Sequence, residues 1–412
     1  MKAFRNAIQS VKQNILRSVL AGFGIGWGIF LLVIFLGIGN GFKEGVMKMF
    51  NAFAHKSLFV YGGRTSVANE NLNESTPIFF DNRVIDDVRR RYSAVSSCSQ
   101  EMMSSPIIIS YEGESIQALI KGVNSDYFNI KILEVRCGRA INTLDGQKAR
   151  NVAVIGENVQ QTLFGRHSGL GHIIDIGGSS FKVIGVIASD NLFSMQERNS
   201  VYIPASSFIY SLNAEGNFSS FCLSMTSDAN SKTMETDLKG YLAYHYGFDA
   251  HDEQAIYIAD IEKQTSTFEN LFHSLEILIW IIGICLLLSG IVSVCNVMLI
   301  IVKERTNEIG IRKAIGAPSS SIINMVVAES VTITILAGVA GMVSGALVAL
   351  LADNLILPLL NTTVMDGVKI NIPVVASALV ILCISGVAAG LFPAIKAAQI
   401  QPIDAIRYEN RG

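Results

Sequence analysis

Four stretches of the chain contain no ionisable side chain other than cysteine: Ser18–Phe42, Ile277–Val302, Ser330–Ala352 and Ile370–Ile395. Each is longer than the roughly 20 apolar residues a helix needs to cross a bilayer. A charge at a helix centre costs about 2.5–3.5 kcal/mol on insertion, so these gaps in charge are informative. The pattern predicts four transmembrane helices, over 18–42, 277–302, 328–352 and 370–395. Ahead of the first, Phe4, Ile8, Val11, Ile15 and Leu16 recur at helical spacing beside basic residues. That stripe predicts an interfacial amphipathic helix over 1–17.

Between the first two spans, residues 43–275 change period. Short β-rich runs lie at Ser57–Tyr61, Ile107–Ser110, Ile116–Lys121, Asn151–Ile155, Ile173–Ile176, Phe181–Ile187 and Phe221–Met225. Helical runs lie at Asn82–Tyr92, Glu157–Phe164 and Lys232–Tyr246. The mixture predicts an α+β domain, with Gly177-Gly178 as a hairpin turn. Polar stretches at Ser93–Gln100 and Ala214–Phe218 read as hinges around an inserted subdomain, about 97–215. From Ala259 the apolar spacing is helical straight into the second span, which predicts a stalk helix over 259–302. A short external loop, 353–369, separates the third and fourth spans, and a tail follows at 396–412.

Composition agrees with a membrane chain: 50% of residues are hydrophobic and 16% charged, against roughly a quarter charged in soluble domains. The net charge of −2 and the lack of a basic patch argue against a nucleic-acid partner. The first apolar run is too long for a cleavable signal and predicts a retained anchor. Lys2, Arg5, Lys12 and Arg17 precede the first span, while Lys303, Arg305, Arg312 and Lys313 follow the second. Lys396, Arg407 and Arg411 follow the fourth. This bias places both termini and the 303–318 loop in the cytoplasm and the 43–275 domain outside. Lys43 and Lys48 run mildly against it. Cys98, Cys137 and Cys222 then lie outside, where oxidation permits a disulfide without requiring one.

Catalytic and metal-binding patterns are missing. No phosphate-cradling G-x-x-x-x-G-K-[ST], HExxH, CxxC or G-x-S-x-G occurs, and the six histidines are scattered. No catalytic, cofactor-binding or metal site is expected, and the chain is not read as an enzyme. The spans lack the internal charges that proton relays use, so energy is expected to enter from another chain. Glycines four apart, Gly22 and Gly26, Gly341 and Gly345, and Gly386 and Gly390, are candidates for close helix packing.

The charged segment after the second span stands out. Glu304, Glu308 and Arg312 recur every four residues, and Ile311 and Ile315 line another face. Within it, Val302-Lys303-Glu304-Arg305-Thr306-x-Glu308-Ile309-Gly310-Ile311-Arg312-Lys313-Ala314-x-Gly316-Ala317 resembles the loop after the second span in FtsX-like, MacB-type ABC transporter permeases. The tail motif from Pro393-Ala394-x-Lys396-Ala397-Ala398 through Pro402, Ala405, Arg407, Tyr408 and Glu409 resembles that family's C-terminal signature. Gly138-Arg139, Val152–Gly156, Leu163-Phe164-Gly165 and Val201-Tyr202-Ile203-Pro204 are similar to pieces of its external domain.

The resemblance implies a permease subunit in the bacterial inner membrane, with a porter-like external domain carrying an inserted subdomain. It implies a partner ABC ATPase that binds ATP and Mg, and a second permease copy in a dimer. The coupling residues would be Glu304, Arg305, Glu308, Ile309, Gly310, Ile311, Arg312, Lys313 and Gly316 on a helix over 303–318. The tail contacts would be Pro402, Ala405, Arg407 and Glu409. In MacB itself the ATPase precedes the first span. Here only about 17 residues do, so a separate ATPase is expected, and the need for a periplasmic adaptor and outer-membrane channel is left open. The leading function is ATP-driven export of antibiotics, peptides or similar substrates by mechanotransmission. The alternatives are lipoprotein release and a non-transporting lever that regulates cell-wall hydrolases.

Overall fold

The computed structural model describes residues 15–68, 71–188, 195–212, 214, 216–356, 367 and 372–401. The amphipathic helix expected over 1–17 lies almost wholly outside the described residues, as does most of the 353–369 loop. The chain forms two compact units: residues 1–45 with 270–412, and residues 46–269.

The first unit is helical. Helix α1 is Ile15–Phe50, and α9, α11 and α12 are Ile261–Glu304, Ser319–Leu351 and Ile372–Gln399. Among the described residues, these four helices contain the segments long and apolar enough to cross a membrane. Each is longer than the span read from missing charge. The stalk also starts slightly late, because Ile256–Asp260 is strand β11 rather than helix. Asp260 ends that strand and caps α9, accepting from the Lys263 N–H at 3.1 Å. The helix is then unbroken to Glu304 and belongs to both units.

Among the described residues, the second unit holds eleven strands and the short helices between them. The strands are β1 Ser57–Gly62, β2 Val95–Met103, β3 Ile107–Tyr111, β4 Glu114–Val123, β5 Val135–Gly138, β6 Val152–Gly156, β7 Ile173–Ile176, β8 Ser179–Ile187, β9 Ser200–Pro204, β10 Ser220–Met225 and β11. They are joined in the order β11-β1-β10-β2-β4-β3-β7-β8-β6-β9, with β5 on β8. Because β9 also pairs in parallel with β4, strands β4-β3-β7-β8-β6-β9 close into a ring. The unit is thus a four-stranded open sheet joined to a six-stranded barrel. The barrel strands fall in the chain between β2 and β10.

Helices α2 (Asn82–Arg91) and α8 (Ser231–Tyr246) are capped by Asp81 and Asn230, and Gly247 stops α8 in the left-handed region at φ 76°. Between them come five shorter helices: α3 Tyr127–Ile130, α4 Thr143–Gln147, α5 Glu157–Phe164, α6 Met195–Arg198 and α7 Ala205–Ser211. One apolar core runs through sheet and barrel, with Leu58, Val60, Phe80, Cys98, Ile109, Ile120, Ile155 and Phe181 essentially buried.

Ser93–Gln100, read as a polar hinge, is mostly β2 and lies between β10 and β4. The reason is physical. Cys98 faces the apolar core, whereas Ser99 and Glu101 face a buried polar layer, so the strand carries no apolar alternation. Strands β5, β9 and β11 are also absent from the sequence-based expectation. Leu223 stands opposite Cys98 and Ser99 opposite Cys222, so the two thiols point to opposite faces and cannot bridge. All three external cysteines are free, with Cys137 exposed.

The loops at the far end of β11 are fastened by a buried carboxylate. Asp252 accepts from the Ser66 backbone N–H at 2.7 Å, the Ser66 hydroxyl at 2.8 Å and the Gln254 N–H at 2.9 Å. Burial alone would raise its pKa, but the hydrogen bonds from Ser66, Gln254 and Ala255 outweigh that and hold it at about 2. A carboxyl depressed below its unfolded value of roughly 3.9 stabilises the fold above that value. The contribution disappears as pH falls through about 2. Asp252→Asn is expected to flatten this part of the acid-unfolding slope, read by fluorescence between about pH 5 and pH 2. An unchanged slope would remove Asp252 from the account.

Candidate functional site

The segment after α9 is not a single helix from Glu304 to Gly316. Arg305 leaves helical geometry at φ −94° and ψ 15°, and a separate nine-residue helix, α10, runs Thr306–Ala314. The break separates Glu304 from the face carrying Glu308 and Arg312. Those two still form an i,i+4 ion pair at 2.6 Å, with both side chains about half exposed. Such a pair adds roughly 0.3–0.5 kcal/mol to the helix, enough to favour it and too little to anchor it.

Two other contacts anchor α10. At its start, the Arg305 guanidinium donates to both carboxylate oxygens of Glu329, at 3.4 and 3.2 Å. Glu329 lies about three turns into α11 and is only 6% exposed. Near its end, the Lys313 ammonium donates to the carbonyls of Ala398 and Ile400, the latter at 3.1 Å. Those carbonyls belong to the C-terminal end of α12, where a cation also meets the negative end of the helix dipole. Ile309 and Gly310 are buried against the helices, and Ile309 joins the same apolar cluster as Val302, Ile322 and Ala397. The short helix is therefore tied to α9, α11 and α12 together.

Its stop is built into the sequence. Gly316 has φ +96°, its N–H bonds to the Lys313 carbonyl at 2.9 Å, and the Ala317 N–H reaches back to the Arg312 carbonyl at 3.0 Å. This is the Schellman arrangement, which needs a residue at ease in the left-handed region. Pro318 then starts α11. Gly316 thus shapes the segment without offering a surface.

What the segment does offer is apolar. Ile311 is 49% exposed and Ile315 is 82% exposed, on a helix whose charged groups are mostly paired or capped. Pro402, Ala405, Arg407 and Glu409 lie outside the described residues.

The glycines of the spans sit at helix crossings. A Cβ on Gly22 would come within 2.6 Å of the Ala337 Cβ, and one on Gly26 within 2.9 Å of the Ala337 carbonyl oxygen. A Cβ on Gly341 would collide with the Gly26 carbonyl, while Gly345 faces Phe30 and Val33 at 3.2 Å. These four join α1 to α11. Gly386 and Gly390 join α12 to α11 at Val331 and Ser330, where the Ser330 hydroxyl donates to the Gly386 carbonyl at 2.9 Å. Three further close glycines escape the sequence reading: Gly283 against Leu32, Gly290 against Ile25 and Gly24, and Gly338 against Leu382. None has a second glycine four positions away on the same helix to mark it. Glu329 escapes it too, because it sits just before the charge-free run that defines the third span.

Residues 18–241 match the MacB-like periplasmic core domain, and residues 280–402 match the FtsX-like permease C-terminal domain. The chain belongs to the MacB-type, FtsX-like ABC transporter permease family. It is a multi-pass membrane protein with a large extracytoplasmic domain between its first two membrane helices. It is 28% identical over 410 residues to the macrolide export ATP-binding/permease protein MacB of Neisseria gonorrhoeae. That match covers 99% of this chain but 61% of MacB, so the chain spans about three-fifths of that relative's length. It is 27% identical to the uncharacterized ABC transporter permease YknZ of Bacillus subtilis, over 99% of both chains. Among solved structures, the periplasmic region of MacB from Actinobacillus actinomycetemcomitans aligns with a TM-score of 0.44 at 19% identity. That alignment covers 55% of this chain and 98% of that one. Among the described residues there is no cluster of His, Cys, Asp and Glu able to bind a metal.

Proposed function

We propose that this permease couples ATP hydrolysis on a partner ABC ATPase to motion of its extracytoplasmic domain, with α10 as the coupling helix. The basic residues around the spans support a cytoplasmic side for α10 and both termini, in a bacterial inner membrane. The observation that carries the reading is the pair Ile311 and Ile315. Two large apolar side chains, one on α10 and one at its C-cap, stand free on a segment that is fastened to three membrane helices. Free apolar surface rimmed by charge is what a partner buries, and a helix tied to α9, α11 and α12 cannot be displaced without moving them.

The working assembly is a permease dimer with two ATPases, exporting substrates such as antibiotics or peptides from the outer side of the membrane. No nucleotide is bound by this chain in this reading; ATP and Mg belong to the partner. The full chain, purified from its native membrane in a mild detergent, is expected to carry a P-loop ATPase in equal amount. Recovery of the chain in a folded state with no ATPase at any salt concentration would overturn the proposal.

A further inference from the structure

The extracytoplasmic unit contains a cluster of four charges, three of them buried and Lys131 nearly so, that the coupling reading does not use. Glu101 on β2 and Lys121 on β4 lie on the same face of neighbouring strands. Lys131 follows the single-turn helix α3, and Glu197 comes from the single-turn helix α6. The side chains of Glu101, Lys121, Lys131 and Glu197 are 5%, 2%, 12% and 6% exposed, respectively. The Lys121 ammonium is 2.7 Å from Glu197 and 3.3 Å from Glu101. That of Lys131 is 2.8 Å from Glu197 and 3.5 Å from Glu101. Each ammonium thus sees both carboxylates. The Tyr127 hydroxyl donates to Glu101 at 2.5 Å, and the Tyr202 hydroxyl donates to Glu197. Burial raises the pKa of Glu197, but Lys131 and Lys121 outweigh it and bring it down to about 2. They also hold that of Glu101 below the ordinary range, so both carboxylates stay ionised.

The position of this cluster is what makes it informative. Among the described residues, the open sheet and the barrel share one strand ladder, β2 with β4. It comprises only Glu101 opposite Val123, Met102 opposite Gly122, and Met103 opposite Lys121. Glu101 and Lys121 lie at the two ends of that three-pair ladder. Tyr202 stands beside Lys121 on β9. Lys131 lies over the ring of Phe59 on β1 at 5.7 Å, so the cluster reaches across the open sheet as well.

A buried ion pair adds little net stability over apolar residues of the same shape, yet losing one partner is very costly. Such a group acts in an all-or-none way: intact, it holds; with one member withdrawn, the others cannot stay buried. Glu197 and Lys131 come from short elements outside the sheet and are the members that can be withdrawn without breaking a ladder. We propose that the four charges form a releasable lock at the β2–β4 seam, fixing the barrel against the open sheet and turning the seam into a hinge when a member is removed. The proposal does not depend on the ATPase reading.

Hydrogen exchange on the full chain in lipid nanodiscs tests it. Lys121→Met and Glu197→Gln each leave the buried cluster with one charge in excess. Either is expected to speed exchange at Glu101–Met103 and Lys121–Val123 by about a hundredfold. The β1–β10 amides should change less than about threefold. The double variant, which removes one charge of each sign, is expected to regain at least about tenfold of that protection. Should the single variants fail to fold, Tyr202→Phe removes one hydroxyl only and is expected to give about a fivefold rise confined to the same amides. Exchange that rises equally across sheet and barrel, a double variant no better protected than the singles, or no local rise in any variant would each overturn the lock.

Discussion

Replacing Ile311 and Ile315 together with Asp is expected to lower the affinity of the permease for its ATPase by at least about a hundredfold, with the membrane unit still folded. The size follows from the surface. Central apolar residues of an interface commonly contribute about 2 kcal/mol or more each, and every ~1.4 kcal/mol is a factor of ten. Introducing a carboxylate into a buried patch adds a desolvation cost. In the unbound chain Ile311 is half exposed and Ile315 mostly exposed, so the substitutions remove limited packing from α10 itself. By contrast, Glu308→Gln with Arg312→Gln breaks an exposed ion pair and is expected to change affinity by less than about tenfold. Titration of the purified ATPase against permease in nanodiscs reads both. If the charge-pair variant loses more binding than the isoleucine variant, the docking surface is polar and the assignment is wrong.

Gly341→Leu is expected to be the most damaging single change in the membrane unit. A Cβ at Gly341 meets the Gly26 carbonyl, a backbone atom with no side-chain freedom with which to yield. Overpacking of this kind costs about 1–3 kcal/mol even where neighbours can shift, and here α1 and α11 must separate. For a unit of this size the thermal midpoint should fall by roughly 5–10 °C. Gly240 gives the opposite case. It lies in the middle of α8, and a methyl group added there would find no atom within 4 Å. Gly240→Ala should therefore stabilise by about 0.5–1 kcal/mol through helix propensity. A Gly341→Leu chain that melts with the wild type would mean that the glycine seam does not hold α1 to α11.

The spans are legible in the sequence because membrane helices announce themselves by missing charge, and no tertiary contact can disguise that. The strands facing the apolar core are legible for a related reason: β6 and β8 read as Val- and Ile-rich runs. Strand β2 is not, because one of its faces packs against buried charge. Ser99 and Glu101 look like loop residues until Lys121, Lys131 and Glu197 are brought to them. Those partners of Glu101 lie 20 to 96 residues further along the chain, and no local spacing connects them. The segment after α9 is legible as a charged helix, but its anchors are not. Arg305 and Lys313 look like two of several surface cations. Their roles depend on Glu329 and on the carbonyls of Ala398 and Ile400, which only the packing of α11 and α12 brings within reach. The break at Arg305 is hidden as well, since no Gly or Pro marks it.

The central claim is that α10 seats on an ATPase through its free isoleucines. A photo-reactive amino acid placed at position 315, in the permease expressed with its partner in native membranes, tests this most directly. The account predicts a cross-link to a P-loop ATPase that shifts in yield when ATP is added, whereas the same probe at Tyr244, exposed on the extracytoplasmic unit, gives none. Efficient cross-linking at 315 to lipid or to a second permease copy, with no ATPase adduct in either nucleotide state, would contradict it.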